Sequence, residues 1–356
     1  MSFLTVSDLH INLGEFYLKG VSFDLNKGDY LTIIGPTGAG KTILLESLIG
    51  FWTPDQGSIF LDQLDITTEL PEKRNIGIVY QDYALLPHFT VYKNIEYGLK
   101  KRNPLGMKEK IQEIAASLSI GHLLHRKPAT LSGGEQQRVA LARSLVVEPK
   151  MLLMDEPFSA LDPQTKRDTR ALLKKAIAKR NTTVMHVTHD LGDAWTLANK
   201  VAVIRDGHLL QFGSFEEVFK RPQTPFVAGF VGATLMDGNV IGYDNGLSVI
   251  HVNGFNMRTI DQVDIGTKVK LAIRPEDIIV STQPLPNTSA QNDICAKLSH
   301  IAYEGKTSLL SLRAGETMFD VLVTNHSLEK LGLTPGDTVY AMIKSTHVRI
   351  VNSQVN

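Results

Sequence analysis

The chain reads as an α/β domain with a helical insertion, followed by an all-β domain, and three observations predict that order. Short apolar runs at Leu31–Ile34, Met151–Met154 and Thr183–Val187 each lead into polar or glycine-rich residues, as buried strands do when they share one functional edge. Between about residues 87 and 147 the period becomes that of a helix, as in MKEKIQEIAASLSIGHLL. From about Met236 onward, short alternating stretches are broken by Gly, Asn and Pro, the pattern of small antiparallel barrels. The expected domains are therefore 1–235, with the helical subdomain at about 87–147, and 236–356. The stretch Ser281–Asp293 (STQPLPNTSAQND) reads as a loop joining two halves of the second domain.

Composition narrows the function classes. The 356 residues carry 37 Lys plus Arg against 37 Asp plus Glu, so no basic excess points to nucleic acid. The single cysteine, Cys295, cannot form an internal disulfide and is expected to be a buried small apolar residue in a reducing compartment. The first residues, MSFLTVSDLH, have neither a basic n-region nor an apolar h-region, and no stretch has the length of a membrane span. Any role at a membrane is then expected to run through a partner.

The first element is strand LTIIG, followed by the loop GPTGAGKT and a helix that Gly50 stops. Strand, Gly-rich loop and helix are the setting of a P-loop. Across Gly35, Pro36, Thr37, Gly38, Ala39 and Gly40 the glycines let the loop's backbone N–H groups turn toward phosphates, and the helix adds its positive dipole end. Lys41 is placed to reach the β- and γ-phosphates and Thr42 to bind Mg²⁺. Asp155, at the end of the second strand, is a further Mg²⁺ candidate, and Glu156 after it is the candidate general base. In LSGGEQQR, Ser132 and Glu135 form a capping box, while Gly133 and Gly134 expose N–H groups beside the Ser132 hydroxyl at a helix N-terminus. His189 follows the third strand; His186, inside it, is expected to be core packing.

Taken in order, GPTGAGKT, Gln81, LSGGE, MLLMDEP, SALD and His189 resemble the nucleotide-binding subunit of an ATP-binding cassette (ABC) transporter. The resemblance implies an α/β P-loop NTPase fold: an ABC ATPase core plus helical subdomain, with ATP and Mg²⁺ as cofactors. It also implies that LSGGE contacts the γ-phosphate held by a second copy, so that a homodimer sandwiches two ATP molecules. In that scheme Gln81 senses Mg²⁺ and contacts the membrane permease, Asp162 couples the two sites, and His189 contacts the γ-phosphate. The family places an aromatic residue against adenine in the stretch that here reads Asn12–Phe16, leaving Phe16 or Leu13 for that role.

YALLPHFTVYKNIEYGLK and KLAIRPEDI resemble importer ATPases with a C-terminal OB-like barrel of the TOBE type. That subfamily serves sugars, polyamines, iron, sulfate and molybdate. SAQN, TNHSLEKLGLTPGD and AMIKSTHV resemble a molybdate-binding Mop domain in order and spacing. Ser289, Lys344, Ser345 and Thr346 are the hydroxyl and cation donors a tetrahedral dianion would need, although Gln291 stands where the family often has Arg. The implied protein is the peripheral ATPase of a molybdate/tungstate importer on the cytoplasmic face of the membrane. It would work with permease subunits and, indirectly, an extracytoplasmic substrate-binding protein, with oxyanion feedback through the tail. A non-transport ABC ATPase would be expected to bring paired cassettes, a coiled-coil insertion or basic runs, and a molybdate-responsive regulator a helix-turn-helix; none is evident.

Overall fold

The computed structural model describes residues 2–99 and 106–351. The chain divides into Met1–Val218 and Phe219–Asn356, ahead of the boundary expected at 235/236. The intervening stretch joins the second unit because its helix packs there, through Ala228 and Ala233 against Ala272 and Val351.

In the first unit, β1 (Leu4–Asn12) and β2 (Tyr17–Leu25) form a hairpin, and β3 (Tyr30–Ile34) leads into the Gly-rich loop and α1 (Lys41–Ile49). Next come β4 (Gln56–Leu61), β5 (Leu64–Asp65) and β6 (Ile76–Val79). The helical subdomain supplies α2 (Val91–Leu99), α3 (Met107–Ser117) and α4 (Gly133–Leu145). The chain then alternates β7 (Met151–Asp155), α5 (Pro163–Arg180), β8 (Thr183–Val187) and α6 (Leu191–Leu197) before β9 (Lys200–Arg205), β10 (His208–Ser214) and α7 (Phe215–Lys220).

The central sheet runs β10-β9-β3-β8-β7-β6, parallel from β9 to β6. One face packs on α1 and the antiparallel sheet β2-β1-β4-β5; the other packs on α2, α4 and α5. Both faces are covered, which is why β3 and β8 are buried at every position and read as continuous apolar runs. Register sets the functional edge. Val187 pairs with Ile33 on one side and Asp155 on the other, so the loop after β3, the end of β7 and the end of β8 open together. Gly50 ends α1 at φ 99°, a left-handed cap that a side chain would strain.

The second unit begins with α8 (Pro225–Phe230) and continues through β11 (Thr234–Asp244), β12 (Leu247–Val252), β13 (Phe255–Thr259), β14 (Lys268–Ile273) and β15 (Ile278–Ser281). Then follow β16 (Asn292–Glu304), β17 (Thr307–Ala314), β18 (Thr317–Thr324), α9 (Asn325–Leu331), β19 (Thr338–Ile343) and β20 (Arg349–Val351). Two antiparallel sheets, β13-β12-β11-β14-β20 and β15-β19-β16-β17-β18, close on one apolar core, an OB-like all-β domain. Here one expectation fails. Cys295 is exposed, because the alternation along β16 turns Ile294, Ala296 and Leu298 inward and leaves Cys295 and Lys297 outward.

Candidate functional site

A cavity of about 700 Å³ opens at the edge where β3, β7 and β8 end. Thr37, Gly38, Gly40, Lys41 and Thr42 line it together with Asp155, Glu156 and His189, and Gln81 also lines it. The loop is shaped for close backbone approach. A Cβ on Gly35 would lie 2.1 Å from the Ile204 carbonyl oxygen, and Gly38 and Gly40 have φ of 80° and 99°. Ala39 is buried beneath the loop.

Lys41 is buried, and its ammonium donates to the Gly35 and Pro36 carbonyls at 2.9 and 2.8 Å. Burial lowers its pKa, opposed by the carboxylates of Glu156 and Asp155. The Thr42 hydroxyl donates to Asp155 Oδ2 at 3.2 Å. Burial raises the Asp155 pKa, the Thr42 hydrogen bond lowers it, and Glu156 and Glu46 add like charge. Two oxygen groups side by side, a buried cation and a loop with no room for a side chain at Gly35 and Gly40 fit a metal-bound polyphosphate.

Glu156 sits at φ 43°, a left-handed conformation that costs a non-glycine residue about 1–3 kcal/mol. Its N–H donates to Val187 O at 2.9 Å, and the Ser159 hydroxyl donates to its carbonyl at 3.0 Å. The turn aims the carboxylate at His189, whose Nδ1 lies 3.1 Å from Glu156 Oε1. Leu13 and Phe16, in the β1–β2 turn, both line the far end of the cavity. Glu46 and Trp52 line it too, with Trp52 Nε1 donating to Glu46 at 2.7 Å. Neither was singled out from the sequence; a Glu on the P-loop helix and a Trp just past its glycine stop are the signals that pointed there.

Beneath His189 lies a buried charged network that the sequence reading also missed. Asp193, on α6, is 1% exposed and accepts from Arg170 Nε at 2.6 Å and from the Thr188 hydroxyl at 2.6 Å. Lys166 and Arg170, on α5, also pair with Asp190, which caps α6 through Gly192 N. His186 is fully buried, as expected, with Tyr30 Oη 3.1 Å from its Nδ1. Burial pushes its pKa down to about 4. The imidazole is then neutral, with Nε2 3.8 Å from Asp193 Oδ2.

LSGGE forms the helix start its sequence predicts. The Ser132 hydroxyl accepts from Glu135 N at 3.3 Å while Glu135 accepts from Ser132 N at 2.8 Å. Asp162 caps α5, accepting from Gln164 N and Thr165 N, both at 3.1 Å. The two helix starts touch, for a Cβ on Gly134 would lie 2.3 Å from Thr165 Cγ2. Ser132, Gly133, Gly134 and Asp162 are not among the residues lining the cavity that holds Lys41 and Glu156.

The profile of the ABC transporter family matches residues 18–159, and that of the TOBE domain matches 288–350. The molybdate/tungstate import ATP-binding protein WtpC of Pyrococcus abyssi is 41% identical over 98% of this chain and 99% of its own length. This chain belongs to the ATP-binding import proteins of the ABC transporter family. The spermidine/putrescine import ATP-binding protein PotA of Marinobacter nauticus is 37% identical over 85% of the chain and 82% of its own. Among solved structures, cbiO1 of Clostridium perfringens, part of the ABC transporter complex cbiONQ, matches with TM-score 0.57 and 29% identity over 62% of this chain and 91% of that one.

As an ABC import ATPase, the protein hydrolyses ATP and works with a membrane permease. No helix among the described residues is long and apolar enough to cross a membrane. In the TOBE region of this ATPase, pairing of Asn292 with Ile343 brings the Ser289–Gln291 and Lys344–Thr346 segments together. Ser289, Lys344 and Thr346 are exposed, while Ser345 is buried and its hydroxyl donates to Gln291 Oε1.

Proposed function

We propose that the chain is the ATPase of a molybdate/tungstate importer, acting as a homodimer on the cytoplasmic face beneath permease subunits that an extracytoplasmic binding protein supplies. The observation that carries this reading is the 41% identity to an importer ATPase of that substrate, spanning 98% of this chain and so including the β-rich tail. Within the site, the loop from Gly35 to Gly40 cradles the phosphates, and Lys41 exchanges its two carbonyl partners for β- and γ-phosphate oxygens. Mg²⁺, held by Thr42, Asp155 and Gln81, would neutralise charge on the phosphates. Glu156 orients water as general base, and His189, beside it, reaches the γ-phosphate. A second copy's Ser132, Gly133 and Gly134 would complete the site, with Asp162 linking the two halves. Ser289, Lys344, Ser345 and Thr346 would let the tail sense the oxyanion and restrain hydrolysis.

The test is ATP-driven accumulation of tungstate in membrane vesicles holding the chain and its permease. Uptake of tungstate that a Glu156→Gln chain does not support is the expected result. Uptake of sulfate or spermidine in preference to tungstate would reassign the substrate.

A further inference from the structure

Val187, Thr188 and His189, at and just after the end of β8, are each tied to a different part of the edge where β3, β7 and β8 end. Val187 O accepts from Glu156 N at 2.9 Å, and Thr188 N donates to Ile33 O at 3.1 Å just ahead of the Gly-rich loop. His189 Nδ1 lies 3.1 Å from Glu156 Oε1. The first two are backbone bonds, indifferent to the side chains at 187 and 188. The third depends on where the His189 imidazole stands, and that side chain is 63% exposed. Among the described residues Glu156 is the one hydrogen-bond partner of its ring. An exposed ring with a single polar contact takes its position from its backbone, so whatever fixes residues 188 and 190 fixes the imidazole.

The side chain of Thr188 does that. It is buried, and its hydroxyl has one proton to give and lone pairs to accept with. The proton goes to Asp193 Oδ2 at 2.6 Å, and a lone pair accepts from Asp190 N at 3.0 Å. The hydroxyl therefore spans His189, holding the residue after it from the residue before it. Its acceptor is a buried carboxylate that Arg170 Nε also holds at 2.6 Å, so the span is anchored to a charge that packing and pairing keep in place. A hydroxyl that donates to an ion is polarised and accepts more strongly in turn, which tightens the bond to Asp190 N. Asp190 then accepts from Gly192 N on Oδ1 at 2.6 Å and, on its carbonyl, from Asp193 N at 3.1 Å, closing the turn onto α6.

We infer that Thr188 is a positioning residue for ATP hydrolysis: its hydroxyl carries the fixed geometry of the buried Asp193–Arg170 pair to the backbone on both sides of His189, and so sets the imidazole against Glu156. Thr188 is not among the residues lining the cavity, and it acts through its neighbour. This role rests on the one proposed for His189 in hydrolysis and not on the transported ion. Misplacing a catalytic group by about 1 Å is enough to cost on the order of 10²-fold in rate, so a hydroxyl that fixes the backbone beside such a group has a measurable kinetic effect without touching the nucleotide.

The experiment is steady-state ATP hydrolysis by the full chain assembled with its permease, comparing Thr188→Val, Thr188→Ser, His189→Ala and the double variant Thr188→Val with His189→Ala. Valine keeps the shape of the side chain and the backbone bond to Ile33 while removing the hydroxyl. In Thr188→Val kcat should fall about tenfold or more with KM for ATP held within about twofold, because Lys41 and the phosphate loop are untouched. Thr188→Ser keeps both hydrogen bonds and should return kcat to within about threefold of the parent. In the His189→Ala background, Thr188→Val should slow hydrolysis no further, the non-additivity of residues that act as a unit. A residue that only supports the fold would multiply the two losses instead. Thr188→Cys, whose thiol fills the site but donates weakly, makes the same comparison if the valine chain does not fold. Parent-rate turnover by Thr188→Val beside a slow His189→Ala overturns the positioning role alone. So does a Thr188→Ser chain no faster than Thr188→Val, or a double variant in which the losses multiply. Parent-rate turnover by His189→Ala overturns it together with the role proposed for His189.

Discussion

Replacing Arg170 by Met should destabilise the first unit by about 3–5 kcal/mol, the usual cost of removing one partner from a buried ion pair. Asp193 is 1% exposed, and without Arg170 it retains the Thr188 hydroxyl at 2.6 Å, with Lys166 and His186 Nε2 each 3.8 Å away. Asp193→Leu should cost less, about 2–3 kcal/mol, because Arg170 keeps Asp190 at 3.1 Å while the Thr188 hydroxyl loses its acceptor. The double variant removes both charges and should lose less than the sum of the singles, by about 2 kcal/mol. Urea unfolding followed by tryptophan fluorescence suits the measurement, since the only two tryptophans, Trp52 and Trp195, both lie in the first unit. His189 sits between Thr188 and Asp190, both tied into the network, so kcat should fall in Arg170→Met while ATP affinity holds. An Arg170→Met chain within 1 kcal/mol of the parent, or strictly additive singles, would refute a cooperative buried network.

Glu156→Gln should bind ATP yet turn over about 10²–10⁴-fold more slowly, and gel filtration with ATP should show it trapped as a dimer; hydrolysis at the parent rate would remove Glu156 from the role of base. Stability of the first unit should fall as pH drops from about 6.5 toward 4, because His186 folds neutral with its pKa lowered to about 4. The unfolded chain binds the proton first in that window, so the slope of stability with pH is positive and totals roughly 3 kcal/mol. A His186→Gln chain should show that slope flattened in urea titrations at pH 7 and pH 4.5, and an unchanged slope would exclude His186 as its source.

The phosphate loop and its carboxylates were legible in the sequence because their chemistry needs contiguous residues: backbone N–H groups at fixed spacing, then a Lys and a Thr on the first helical turn. The strand ends were legible because sheets covered on both faces force continuous apolar runs. What escaped depends on residues meeting from separate elements. Arg170 and Asp193 lie on α5 and α6, each reading alone as an ordinary charge on a helix face. Trp52 reaches the cavity only because Gly50 turns the chain back after α1. The β1–β2 hairpin with its neighbours β4 and β5 carries an alternation that no motif marks. Cys295 shows the converse: a residue type usually buried was placed outward by the alternation of its strand, which decides burial more strongly than composition does.

The two ends of the cavity are built on different principles, and that difference bears on what the site selects. At the phosphate end, Lys41 is already withdrawn from water and already donating to two neutral carbonyls. On the proposed function, binding a nucleotide would exchange those acceptors for charged phosphate oxygens, gaining charge-assisted bonds without a fresh desolvation cost for the ammonium. Glu156 and His189 are likewise preset, the first by a strained turn anchored to Val187, the second by a helix cap tied to buried charges. At the other end, Leu13 and Phe16 are 37% and 50% exposed on a hairpin turn and would offer a base apolar contact with few directional groups. On the proposed function, recognition would concentrate on the triphosphate, where geometry is fixed before the ligand arrives, and would leave the base with mainly apolar contact.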